Sequence, residues 1–289
     1  MASLASDNPL YSSLVFDERQ TVTFCVFKVP PCIDIVGLRV HAKDRVATVQ
    51  LSERQAPDGR VIRNKILTSL PESEYRAARL HLEYIALPQL TVLHEPSEKL
   101  EFAYFPNAGL ISLVVAMENG KTVEAAVVGN EGAAGIPSAV RLTHSPLREV
   151  VQVAGDGFRV KVQALQAILK SAPEFQMILS RYAVVQGIQV AQTAACNRLH
   201  DVEQRLARWL LMAQDRVETA PVTITHDFLS TMLGTDRPSV SLAAGVLQRK
   251  KYIEYTRGAV KVLNRKKLES CACECYDVIR QYNAEIGLR

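Results

Sequence analysis

The 289-residue sequence predicts an α+β fold: an antiparallel β-roll or barrel, a long helix, and a C-terminal winged helix-turn-helix. Three observations carry the prediction. Apolar and β-branched runs alternate with turn signals over residues 62–170. Apolar positions then recur at three- to four-residue steps over 171–198. Finally a helix, a glycine-containing turn, a second helix and a strand-turn-strand succeed one another from Thr225 to Leu263.

Residues 1–61 form an extension with no recognisable domain. Seven acidic and seven basic side chains, irregular periodicity and the polar exit "SERQAPDGR" give it the composition of a disordered segment. Residues 62–170 open on a short helical lead-in, "NKILTSLPESEYRAARLHL", and continue as strands. The clearest pair flanks Asn119-Gly120 in "ISLVVAMENGKTVEAAVV". Asn-Gly suits the left-handed dihedrals of a type I′ turn, so a hairpin is expected there. "FAYFPNAGL" before it and "REVVQVAGDGFRV" after it supply further strands of one compact unit.

Over 171–198, Pro173 suits a first helical turn. Ile178, Tyr182, Val185, Gln189, Gln192 and Cys196 make a stripe too long to fit behind one small domain. It is read as a dimerisation helix whose seam meets a second copy, with a core-facing helix as the alternative. Residues 199–289 start with "DVEQRLARWLLMA", which carries Leu206, Trp209, Leu210 and Ala213 on one face.

The stretch "THDFLSTMLGTDRPSVSLAAGVLQRKK" then spells two capped helices. Thr225 is placed to accept from a first-turn amide, and Asp227 suits the positive end of the helix dipole. Phe228, Leu229, Met232 and Leu233 form an inward face, and Gly234 supplies the left-handed residue that ends the helix. Asp236 caps the next helix and Pro238 fits its first turn, where a missing amide costs nothing. Val240, Ala243, Ala244 and Leu247 pack inward, while Ser241, Gly245 and Arg249 point away. "YIEYTRGAVKVL" adds a hairpin wing. From Val222 to Leu268 there are nine Lys or Arg against three Asp or Glu, so a chain of net charge only +4 concentrates its positive charge here. Such clustering is the footprint of phosphate contact, and the second helix of such a pair can enter the DNA major groove. The residues expected to touch DNA are Thr225, Arg237, Ser239, Ser241, Arg249, Lys250 and Lys251.

This segment, with the roll and long helix upstream, resembles the Crp/Fnr family of bacterial transcription regulators over about residues 62–285. The resemblance implies a jelly roll of the cyclic-nucleotide-binding kind as sensor (62–170), a dimerisation helix (171–198) and a winged helix-turn-helix with a C-terminal helix (199–289). It implies a homodimer on a palindromic operator in double-stranded DNA, with RNA polymerase as a protein partner. An arginine opening the family's recognition helix reads guanine, and Arg237 occupies that place. Pro238 and Leu242 stand where family members often have a Glu and a second Arg, so base preference is expected to differ.

The sensor matches less well. In "VVGNEGAAGIP" and "LREVV", Gly129, Glu131, Gly132 and Arg148 fall near the family's ribose- and phosphate-binding positions, but Glu149 stands where the phosphate-binding hydroxyl would be. A carboxylate repels a phosphate, so no cyclic-AMP response is expected, and the glycines are read as turns between strands. An effector of another chemical class is left open. In "SCACECYDV", Cys271 and Cys275 share one face of a C-terminal helix, two thiolates where a metal needs about four ligands. The cysteines are therefore read as packing residues, with no metal or cofactor. A small-ligand, redox or metal sensor acting through protein partners rather than DNA is the alternative.

Other classes find no support. The histidines at 41, 81, 94, 144, 200 and 226 make no metal-spaced pair, no G-x-S-x-G or P-loop occurs, and an enzyme is not expected. No apolar run reaches membrane-helix length, the N-terminus lacks a signal-peptide layout, and the cysteine spacing is not that of a secreted framework. A cytoplasmic protein without membrane contact is the expectation.

Overall fold

The computed structural model describes residues 54–217, 221–256 and 258–288. Most of the expected N-terminal extension, residues 1–53, lies outside them. Residues 54–61, also assigned to it, pack against the first helices of the roll. Gln55 and Val61 bridge antiparallel, Ala56 is buried, and Arg54 donates to the carbonyls of Leu67 and Leu70.

Two short helices, α1 (Lys65–Ser69) and α2 (Glu72–Arg79), precede strands β1 (Glu83–Leu87), β2 (Val92–His94), β3 (Phe102–Ala116), β4 (Thr122–Val128) and β5 (Arg148–Lys161). They pair antiparallel in the order β1-β5-β3-β4, with β2 also on β5. The path does not close on itself, so this is an open roll rather than a barrel. The two long strands bend through register shifts between Pro106 and Ile111, which is how a short sequence wraps a core without many strands. A 3-10 turn, Ile136–Val140, lies between β4 and β5.

The Asn119-Gly120 hairpin forms, with a different turn from the one expected. Met117 pairs with Lys121 through its amide, and the Gly120 amide donates back to the Met117 carbonyl. Only Gly120, and not Asn119, has positive φ, at 77°. The loop therefore has three residues, a type I turn closed by a left-handed glycine, and Asn119 instead accepts from the Lys121 amide.

Helices α3 (Val162–Leu169) and α4 (Pro173–Leu199) come next. The stripe expected to form the dimer seam turns out to face the chain's own core. Tyr182, Val185, Gln189 and Cys196 are buried, and Gln189 accepts from the Val127 amide of β4. The opposite side is also apolar: Met177, Val184 and Val190 are exposed there, beside Ala191 and Ala195. Polar Gln189 was a poor seam residue because its partner is a strand amide rather than another helix.

The C-terminal region comprises α5 (Val202–Arg216), β6 (Val222–Thr223), α6 (His226–Met232), α7 (Arg237–Arg249), β7 (Ile253–Thr256), β8 (Ala259–Val262), α8 (Arg265–Glu269) and α9 (Cys275–Glu285). Asp201 and Gln204 close a reciprocal capping box on α5. Leu206, Trp209, Leu210 and Ala213 are buried as expected, in one core with Leu229, Val240, Leu247 and, from the roll, Leu110, Val127 and Val153. The expected single C-terminal helix is broken between Glu269 and Cys275, so Cys271 and Cys275 do not share a helix face.

Candidate nucleic-acid interface

Local chemistry builds the helix pair as the residues dictate. Thr225 Oγ1 accepts from the Phe228 amide at 3.2 Å and Asp236 Oδ1 from the Ser239 amide at 2.8 Å. Gly234 has φ 55°, ending α6. Leu229, Met232 and Leu233 meet Val240, Ala243, Ala244 and Leu247 in the core. The wing strands β7 and β8 pair from Ile253–Val262 to Thr256–Ala259. The Tyr255 ring stacks 4.2 Å from His226, and its hydroxyl donates to the Ile224 carbonyl, which holds the wing beside α6.

That packing leaves one side of α7 in water. Arg237, at its first turn, is 64% exposed and, among the described residues, makes a loose 3.4 Å contact with Asp227, itself 69% exposed. Such a pair is worth at most ~1 kcal/mol, so the guanidinium is free to exchange it for a base edge. Leu242 is 68% exposed on the same side, and Arg249, Lys250 and Lys251 cluster at the far end.

The expected contact residues are not equally available. Ser239 is spent on its own cap, its hydroxyl donating to Asp236 Oδ2 at 2.9 Å. Ser241 Oγ shares a 2.9 Å hydrogen bond with His226 Nδ1, across the two helices. Burial and the nearby Arg237 hold the His226 pKa below its usual value, so the ring is neutral near pH 7. Lys250 Nζ pairs with Glu203 of α5, while Lys251 sits exposed in a left-handed conformation, φ 57°, just past the helix. Sequence reasoning missed both Glu203 and His226, because each partner comes from outside its own helix.

The sensor residues are in a different condition. Glu131 Oε1 accepts from Arg216 Nε at 2.7 Å, each about 6% exposed. Added Cβ atoms would stand 2.5 Å from the Arg216 side chain at Gly129 and 1.9 Å from the Tyr182 hydroxyl at Gly132. The two glycines do turn the chain between strands, the Gly132 amide donating to the Gly129 carbonyl at 3.1 Å, and they also allow close approach of α5 and α4. Arg148 is elsewhere engaged, with two 2.9 Å bonds to Glu95. Glu149 is buried, held by His94 Nδ1 at 2.8 Å and the Gly135 amide at 3.1 Å. Beside the Glu131–Arg216 pair lies a cavity of about 380 Å³, lined among others by Lys65, Asp215, Arg265, Tyr276 and Asn283.

An exposed helix seated across a glycine turn from a capped partner, with a wing and a basic end, defines a winged helix-turn-helix. Residues 204–271 match the Crp-like helix-turn-helix domain. The whole arrangement has the fold of Crp/Fnr regulators. A regulator assigned to the Crp/Fnr family from Eubacterium rectale superposes with TM-score 0.56 at 14% identity, over 71% of this chain and 96% of that one. FixK2 from Bradyrhizobium japonicum gives 0.59 at 14%, over 67% and 98%. The c-di-GMP responsive global regulator CLP of Xanthomonas campestris gives 0.55 at 13%, over 66% and 99%. No curated protein sequence matches the chain closely enough to be called a relative. Among the described residues no helix is long and apolar enough to cross a membrane.

Proposed function

We propose that the protein is a DNA-binding transcription regulator of the Crp/Fnr type and not an enzyme. It binds an imperfect palindrome as a homodimer and acts with RNA polymerase in the cytoplasm. The observation that carries this is the outward side of α7, where an exposed Arg237 opens the helix and basic residues close it, within the segment that matches the Crp-like domain. An arginine fork suits the two major-groove acceptors of guanine, and lysine charge suits phosphate. The second apolar side of α4 supports pairing of two copies, with half-sites about one helical turn apart.

The same reading excludes cyclic AMP as effector. Glu131 and Glu149, the acidic residues at the would-be ribose and phosphate positions, are buried and already paired. Cyclic AMP is expected to produce no saturable rise in Tm, since any ligand of the folded state must stabilise it. An effector of another class fits the cavity beside Arg216 better. Selection of bound DNA from a random pool, with and without cell extract, tests the proposal. Recovery of a two-fold symmetric site supports it, and failure to enrich any sequence above non-specific binding refutes it.

A further inference from the structure

The C-terminal cysteines do not stand alone. We infer that Cys196, His200, Cys273 and Cys275 form a closed tetrahedral site for a zinc ion, which ties the end of α4 to the start of α9. Their four donor atoms lie within 4.8 Å of one another, with all three cysteines buried. They come from two places: Cys196 and His200 one turn apart at the end of α4, and Cys273 in the break between α8 and α9 with Cys275 at the first position of α9. The four cysteines among the described residues are all free thiols.

The spacing is that of a coordination shell. Cys196 Sγ and Cys273 Sγ are 3.5 Å apart, as are Cys275 Sγ and His200 Nδ1. A zinc tetrahedron with Zn–S of about 2.3 Å and Zn–N of about 2.0–2.1 Å has edges of roughly 3.5–3.8 Å. The surroundings fit as well. His200 Nε2 lies 3.3 Å from the Glu274 carboxylate, which leaves Nδ1 directed at the sulfurs, the usual arrangement of a ligating histidine. Gln192 Nε2 donates to Cys275 Sγ at 3.1 Å.

A separate observation points to the charge of the occupant. Arg205 and Arg208 are buried, 7% and 8% exposed, on the α5 turn beside the cluster. Arg205 Nε and Nη2 and Arg208 Nε have no hydrogen-bond acceptor among the described residues. Buried cations without carboxylates are costly. Three thiolates and a neutral imidazole around a dication leave one net negative charge, which offsets them. On binding, three thiols release their protons to water and no electron is transferred. Four protein ligands leave no open position, so the site is structural. A two-iron cluster would spread its ligands over two metals and fits this tight group less well. Cys271 is outside the group, its thiol donating to Glu203 at 3.2 Å, and serves as an internal control.

The inference does not depend on DNA binding, and metal analysis tests it directly. Full-length protein produced with zinc in the medium and dialysed against metal-free buffer is expected to hold about one zinc per chain by elemental mass spectrometry. Cys271→Ser keeps it, whereas Cys196→Ser and Cys273→Ser lose it. Should those variants not fold, wild-type protein loaded with Co(II) gives the second reading: tetrahedral d–d bands with a thiolate-to-cobalt charge-transfer band support the site. Folded wild-type chain that takes up neither metal overturns the inference. So does zinc retained by Cys196→Ser or Cys273→Ser, zinc lost from Cys271→Ser, or an iron–sulfide chromophore.

Discussion

The roll and the helix-turn-helix treat their charged residues in opposite ways. In the roll, Glu131 and Glu149 are buried and closed off by Arg216 and His94. On α7, Arg237 stands in water with one loose partner, and Lys251 just beyond it is exposed as well. Burial makes an ion pair structural, because separating it strands a charge in a medium that cannot solvate it. Exposure makes one exchangeable, because water replaces the partner at little cost. The difference teaches where this chain keeps its scaffold and where it keeps its contacts.

The comparison breaks hardest at Arg216. Arg216→Ala strands Glu131 and is expected to destabilise the fold by about 3–5 kcal/mol in urea or thermal unfolding. Arg237→Ala, by contrast, should stay within ~0.5 kcal/mol of wild type. Replacing both members, Glu131→Leu with Arg216→Met, should recover much of the loss, since hydrophobic residues of similar volume substitute well for a buried pair. Equal effects of Arg216→Ala and Arg237→Ala would erase the distinction.

Next in size is a buried carboxyl between the two regions. Glu124 of β4 accepts from Trp209 Nε1 at 2.8 Å and from Ser112 Oγ, and burial raises its pKa to about 7 against the pull of these bonds and of Arg208 and Arg216. A carboxyl whose folded pKa exceeds its unfolded value favours the fold while protonated. Its contribution is therefore full below about pH 4.5 and lost as pH rises toward 7, a change on the order of 3 kcal/mol. Glu124→Gln keeps both partners and should flatten that part of the stability profile. Parallel profiles for the two proteins would count against the assignment.

Smaller effects belong to the exposed helix. Arg237→Ala should remove the preference for one guanine per half-site, about 1–3 kcal/mol of discrimination, with much of the non-specific affinity retained. Random-pool selection reads this, and an unchanged site would mean the recognition helix is misassigned. Smallest of all, Lys251→Ala should lower the slope of log affinity against log salt by about one unit. Lys250→Ala should lower it less, because Glu203 already holds that ammonium. Equal slopes would show that the intrachain pair gives way on DNA.

Legibility depended on range along the chain. Thr225, Gly234, Asp236 and Pro238 act on backbone groups within a few residues, and their roles could be read directly. The inward faces of α5, α6 and α7 came from helical period alone. What escaped were partners set by packing: Arg216 for Glu131, eighty-five positions away, and Cys196 for Cys273, seventy-seven away. The stripe on α4 misled because that helix is apolar on more than one side, so periodicity gave its axis but not which side meets which neighbour. One signal lay in view: Cys196 and His200 stand four residues apart, a spacing that puts both on one face of a helix.

A helix clothed in apolar side chains on two sides has no dry place for both within one chain. In α4 the first side is filled by the roll and by the α9 segment; Met177 and Val184 on the second are 49% and 64% exposed. On the proposed pairing of two copies, folding and association become linked equilibria. Resistance to heat is then a property of the solution as much as of the molecule: diluting the protein lowers its melting temperature.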